Sequence, residues 1–417
     1  MKTITILGAM CASAAFAAMP VIDTSSVSVR QDGGKTVIIE YALNPSTPGD
    51  AEPAIITVDI LTNAIGEASA SVGGENLKTL SGDVNKLVAH GNHKILWSPA
   101  KEGLPEVVIP AAQVTARITA WPTNSPPTYW IIDLTQPSDR FADRYYPDVE
   151  QIPGTVTNYL YKTDRLVMRR IPSKGVTWKM GGSTTYGATT YHYVTFSYDY
   201  YMAIYEFTDA QYNHIRDDWS IKPDDALPVR WNYESWRGAP TGASDYNWPS
   251  NGHDRVNSTK VLGKLRTAVG GIQFDMSTSA EWEFACRAGS STKYCNGDME
   301  SDLAKVAWYE GNAGSTTHEV GLKEPNAWGM YDMHGNAAEV CLDKCSKISS
   351  DPVWDPTGPM QDDIVLVKSS ASKIFTVRGG GMWKYWTGGA DRCTSFYIEP
   401  LDASESESGV RINLPLN

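Results

Sequence analysis

The sequence predicts an α+β protein in which an antiparallel β-sandwich precedes a larger domain of mixed strands and short helices. Three observations carry that expectation. The chain has 417 residues, more than one ordinary core holds, since domains run about 100 to 200 residues. Between Val27 and Trp121 the apolar residues recur with a period of two. Runs such as Thr36-Val37-Ile38-Ile39-Glu40-Tyr41 and Ile55-Ile56-Thr57-Val58-Asp59-Ile60 are separated by Gly, Pro, Asn and Asp. After Pro122, Pro126 and Pro127 the pattern changes: loops rich in Gly, Asn and Trp alternate with helix-capping signals, and every cysteine except Cys11 follows.

Residues 1–17 read as a secretory signal. Lys2 gives a positive start, Ile4 to Ala15 an apolar stretch, and Ala15-Phe16-Ala17 a small-x-small site that would be cut before Ala18. Cys11 is a weaker lipidation site, because Gly8-Ala9-Met10 is a poor approach to it. The expectation is an exported bacterial protein, secreted or periplasmic. No later segment approaches the ~20 apolar residues that span a bilayer, so an integral membrane protein is not expected. Net charge is −12 with no basic run, which argues against nucleic acid or an anionic membrane as partner.

Residues 18–125 are expected to form an immunoglobulin- or fibronectin-like sandwich. His90 and His93 lie there in a Gly-Asn turn, and without a third or fourth ligand they read as loop histidines. Residues 126–167 read as a connector with one strand-like run, Tyr129 to Leu134. The second domain, 168–417, carries three readable helices. Thr208 with Gln211 makes a capping box ahead of Ala210, Ile215 and Trp219. Ser258 is the expected cap of a run whose Val261, Leu262, Leu265 and Ala268 share a face. Thr278 with Glu281 caps the third, where Trp282, Ala285 and Cys286 cluster before Gly289. The mature chain keeps Cys286, Cys295, Cys341, Cys345 and Cys393, an odd set in which one thiol stays unpaired within the monomer; Cys341 and Cys345 read as a disulfide or as buried thiols.

Seven blocks follow one another in order: Met180-Gly181-Gly182, YMAIYEFTDAQY from Tyr201 to Tyr212, Pro228-Val229, FDMSTSAEWEFACRAG from Phe274 to Gly289, NAWGMYDMHGNAAE from Asn326 to Glu339, VRGGGMW from Val377 to Trp383, and GVR from Gly409 to Arg411. Together they resemble the formylglycine-generating (sulfatase-modifying factor) family, and an ordered set is more specific than any one Gly-rich turn. The resemblance implies a C-type-lectin-like α+β fold with much irregular structure over 168–417. It also implies an oxidase in which two cysteine thiolates hold copper(I), a soft ion that selects such ligands. At those two positions this chain has Lys384 and Gly389, so no copper chemistry is expected, and Cys393 alone reads as a packed thiol. The related ergothioneine-synthase-like branch uses iron held by histidines of a helical domain. No His-x-x-x-His pair occurs here.

A hard cation is the metal the resemblance leaves open. It carries a calcium site onto the carbonyls of His334, Gly335 and Ala337 and the carboxylate of Glu339. The alternative for these residues is a Gly-Asn turn whose polar groups cap the backbone. Met382, Trp383, Tyr385, Trp386, Asp391 and Arg392 fall where the family's cleft lies; Tyr385, Trp386, Asp391 and Arg392 are the candidate binding residues. Two functions remain open. One is a binding or structural module for a peptide, protein or glycan. The other is an enzyme of the same superfamily with an unrecognised reaction in the retained cleft. Clustering of Asp391, Arg392, Glu339 and His334 around one pocket would favour the enzyme, and an exposed aromatic strip without it would favour binding.

Overall fold

The computed structural model describes residues 20–33, 35–45, 52–62, 70–73, 77–102, 114–135, 144–183, 189–216, 225–231, 233–237, 256–344, 352–356, 374–382, 389–397, 399–402 and 408–416. The chain divides into two compact units, 1–126 and 127–417. Among the described residues no helix is long and apolar enough to cross a membrane.

In the first unit, one antiparallel sheet runs in the order Val21–Gln31, Val37–Asn44, Gly91–Trp97, Ser81–Gly82. A second places Ala54–Thr62 between Ala70–Ser71 and Lys86–Val88, with Val114–Trp121 also paired to Ala54–Thr62. Alternation decides what is buried: Val37, Ile39, Tyr41 and Leu43 from one sheet meet Ile56, Val58 and Ile60 from the other in one core closed by Ile95 and Trp97. Each such side chain contributes about 1.5–3 kcal/mol when fully buried. His93 belongs to the strand Gly91–Trp97 rather than to a loop, and its Nδ1 lies 3.0 Å from Asp83 Oδ2.

The second unit is mostly sheet with few, short helices, an α+β arrangement. Its largest sheet has the order Arg144–Tyr146, Tyr129–Asp133, Arg165–Ile171, Asp199–Ala203, Ile412–Leu416, Asp275–Met276, with every neighbour antiparallel. Residues 126–167 are therefore no connector. Tyr129–Asp133 pairs on both edges and Tyr201 donates its hydroxyl to the Pro127 carbonyl at 2.5 Å, so this segment is part of the second core. Sequence alone missed it because one short apolar run does not reveal its strand neighbours.

Two smaller sheets complete the unit. The hairpin Thr177–Ser183 and Thr189–Thr195 adds the parallel strand Val353–Trp354; Glu339–Lys344, Ile374–Arg378 and Glu399–Asp402 form the other. The helices Asp209–Asn213 and Ser279–Arg287 begin with the reciprocal Thr208–Gln211 and Thr278–Glu281 capping boxes that the sequence predicts. The helix Val261–Ala268 differs. Its N-cap is Lys260, not Ser258, and no side chain caps it. The preceding turn folds back on the helix, with Lys260 N donating to Asn257 O at 3.0 Å, and Gly263 is required because a Cβ there would strike the Asn257 carbonyl.

Candidate functional site

The helix Ser279–Arg287 lies at the centre of the second unit, and the blocks that stand out in the sequence converge on it. Asn326 Nδ2 donates to the carbonyls of Ala285 (2.8 Å) and Cys286 (3.0 Å), satisfying the helix's last turn. Trp282 Nε1 donates to Glu339 Oε2 at 2.7 Å. Arg378 donates from Nε and Nη2 to Ser279 Oγ and stands 3.0 Å from Glu283 Oε2. Arg411 forks onto Glu339 at 2.5–3.2 Å and donates to the carbonyls of Ala203 and Tyr331. All of these side chains are buried. The most recognisable residues of the chain are thus a polar core, in which every charge needs its partner.

The His334–Glu339 turn is explained in the same way. Gly335 is required where a Cβ would collide with the Trp308 carbonyl, and Asn336 adopts φ 68° while its Nδ2 donates to Glu206 Oε2 at 2.6 Å. Ala337 N donates to Glu206 Oε1 at 2.8 Å. His334 accepts from Cys295 N at 2.9 Å through Nε2 and donates from Nδ1 to Cys393 O at 2.7 Å; burial holds its pKa down at about 4, so it is neutral. Burial also pushes Glu206 well above the usual carboxylate range and Asp332 up to about 6.

A calcium ion does not fit this donor set. The carboxylate it would need faces a guanidinium on both oxygens, and a second cation there would be repelled. Among the described residues, no three His, Cys, Asp or Glu side chains are grouped to hold a metal. Burial pushes the Cys393 and Cys295 thiols up to about 12. Cys286, Cys295, Cys341 and Cys393 are all free thiols; Cys345 and Lys384 lie outside the described residues.

The four candidates expected to mark an active pocket differ in exposure. Glu339 and His334 are held in the core as described. Asp391 is exposed on the short 3-10 turn Ala390–Cys393, where the Arg392 guanidinium lies 5.9 Å from the Tyr397 ring. Tyr385 and Trp386 lie outside the described residues.

What the second unit does present is an aromatic face on the three-stranded sheet. Along Thr189–Thr195, His192 and Val194 point inward, so Tyr191 and Tyr193 point outward, 43% and 48% exposed. Val353 pairs with inward Val194, which turns Trp354 to the same outer face, 66% exposed. Lys179, opposite Tyr193, places its Nζ 3.6 Å from the centroid of the Tyr191 ring. Beside this face lies an open groove of about 480 Å³ walled by Trp178, Tyr191, Phe284 and Phe396, with Lys179, Arg287, Ser290 and Ser291 as its polar groups. Gly182 keeps it open, since a Cβ there would lie 2.8 Å from Phe396 Cγ. Sequence reasoning missed these residues. The alternation of Tyr191-His192-Tyr193-Val194 is legible as a half-buried strand, but the pairing that brings Trp354 beside it is not.

Residues 167–412 match the sulfatase-modifying factor enzyme 1-like domain, more than half of the chain. The chain belongs to the sulfatase-modifying factor family. Its relatives within and around that family vary in what they are named. A chaperone protein LppX from Paenibacillus barcinonensis is 25% identical over 178 residues, 34% of this chain and 61% of that protein. A serine/threonine-protein kinase pkn1 from Chlamydia pneumoniae is 32% identical over 115 residues, 26% of this chain and 16% of the kinase. The chain thus spans less than two thirds of either relative. Among solved structures, Treponema denticola variable protein 1 shares 23% identity with a TM-score of 0.43, covering 60% of this chain and 95% of its own. PvdO from Pseudomonas aeruginosa shares 20% identity with a TM-score of 0.40, covering 60% and 94%.

Proposed function

We propose that this member of the sulfatase-modifying factor family is an exported binding module that has lost copper oxidase chemistry. One observation carries the reading: an exposed face of Tyr191, Tyr193 and Trp354 with an adjoining groove, in a domain whose motif charges, Asp209 apart, are buried in ion pairs or hydrogen bonds. Solvated aromatic surface of this kind marks an interaction site. The groove's lining supports binding over catalysis, because it holds hydroxyls at Ser290 and Ser291 but no histidine or carboxylate to activate them. Loss of the oxidase is supported by Lys384 and Gly389 at the thiolate positions. Export rests on the signal-like residues 1–17; N-terminal sequencing of the secreted protein is expected to begin at Ala18.

Two experiments test the proposal. Mature protein loaded anaerobically with copper(I), then given a cysteine-containing sulfatase peptide and oxygen, is expected to yield no aldehyde by mass spectrometry. Stoichiometric copper retention with turnover would refute the loss of function. On combined glycan and peptide arrays the wild type is expected to retain ligands that a Tyr193→Ala/Trp354→Ala variant does not. Equal retention by both proteins would place the binding surface elsewhere.

A further inference from the structure

We infer that the occupant of the aromatic face is an extended acidic polysaccharide, stacked on Tyr193 and Trp354 and held by its anionic groups at Lys179. This rests on the binding reading above and specifies its ligand.

The composition of the face selects the chemistry. Among the described side chains of the three strands, the exposed outward ones are Thr177, Lys179, Tyr191, Tyr193 and Trp354, with no Leu, Ile, Val or Met among them, while Thr195 in the same register is buried and shares a hydrogen bond with Thr177. Protein interfaces also use Tyr and Trp, so the rings by themselves do not name the partner; flat rings with no aliphatic side chain between them suit a ligand with one apolar face and a hydroxyl-bearing rim, which is the form of a pyranose ring. Register sets the length. Lys179 lies opposite Tyr193, and Trp354 lies one strand further and two residues along, so the backbone positions of Lys179 and Trp354 are about 12 Å apart by strand spacing and rise. That distance admits a short run of linked sugars lying across the strands rather than a single sugar in a pit.

Charge makes the ligand anionic. The chain carries a net charge of −12, yet no outward position of this face is a carboxylate. The Lys179 ammonium is held 3.6 Å from the Tyr191 ring centroid, which fixes its position at the surface and reduces the ordering cost of meeting an anion. Behind the groove Glu283 is shared between Arg287 (2.7 Å) and Arg378 (3.0 Å), and Asp343 also faces Arg378, so these buried charges are answered internally and Lys179 is the cation on the face itself. A polyanion is otherwise repelled by so acidic a protein, so binding to one must come from a local site.

The test is affinity electrophoresis of the full mature protein in native gels cast with polygalacturonate, dextran sulfate or neutral hydroxyethyl cellulose, at low and high salt. Retardation is expected in one or both acidic gels, the two distinguishing carboxylate from sulfate, and is expected to fall with added salt. Trp354→Ala and Tyr193→Ala each weaken it at least about tenfold. Lys179→Met weakens acidic binding about tenfold and flattens the salt dependence, while Lys179→Arg restores both. Thermal melting of every variant is compared with wild type, so that a misfolded protein is recognised. Equal retardation by the neutral polymer, unaffected by Lys179→Met, would overturn the anionic ligand and leave the binding face standing. Soluble poly-glutamate displacing the protein as well as the acidic polysaccharide does would overturn the glycan in favour of an acidic peptide. Acidic retardation that survives both aromatic substitutions would overturn the site itself.

Discussion

Both units bury apolar cores, but among the described residues only the second also buries charges. Among the described residues of the sandwich, the buried polar side chains are Thr57 and Asn85, both uncharged. The second unit buries Glu206, Glu281, Glu283, Glu339, Asp275, Asp332, Asp343, Arg237, Arg378 and Arg411. An apolar core is specified by periodicity and volume, and it tolerates substitutions that preserve both. A core of ion pairs is specified by partners far apart in the chain, such as Glu339 with Arg411 and Glu283 with Arg378. In the second unit the polar network adds specific partners to an apolar core that already joins its helices and loops.

The sharpest break of this contrast is Arg411→Met, which leaves Glu339 buried beside Trp282 without its counter-charge. Urea unfolding is expected to show a loss of about 3–5 kcal/mol in the second unit. A change below about 1 kcal/mol would mean that the network relaxes and is no more exacting than the sandwich core.

Asp343 offers a pH-dependent version of the same comparison. Burial raises its pKa from 3.8 to about 7, so between those values the folded chain keeps a proton that the unfolded chain has lost. Stability from this group is therefore greatest at the acid end of that window, falls as pH rises through it by up to about 1.4 kcal/mol per pH unit, and levels off above about 7. Asp343→Asn mimics the protonated form. Wild type and variant are expected to melt together below about pH 3.8, to diverge progressively as pH rises to about 7 and to stay apart at pH 8, with the variant the more stable. Parallel curves across that range would show that Asp343 is already ionised in the fold.

In the sandwich, Ile39→Val removes one buried methylene and is expected to cost about 0.5–1.5 kcal/mol with no dependence on pH. Trp354→Ala, although it removes the largest exposed ring, is expected to shift stability by no more than about 0.5 kcal/mol. A large loss would make that ring part of the fold rather than of a binding face. Smallest of all is the response to calcium. Because Arg411 occupies the Glu339 carboxylate, melting temperatures with calcium and with chelator are expected to coincide, whereas a ligand-linked rise would restore the ion.

The sequence by itself determined the elements whose evidence is local. Alternation set Val37, Ile39, Tyr41 and Leu43 into the sandwich core, and reciprocal caps fixed the starts of the helices at Thr208 and Thr278. Ordered motifs determined the family. Tertiary structure alone decided what those motifs do: His334 to Glu339 forms a core turn, Arg378 and Arg411 tie the central helix and its sheets together, and Tyr129–Asp133 enters the main sheet. It also decided the candidate site, because Trp354 joins Tyr191 and Tyr193 only through a parallel pairing between residues 159 positions apart, as Val194↔Val353 and Thr195↔Trp354 set it. The physical reason is range. Periodicity and capping act within a few residues and leave their mark in neighbouring letters, whereas ion pairing and strand pairing join distant segments, and nothing in either segment alone names its partner.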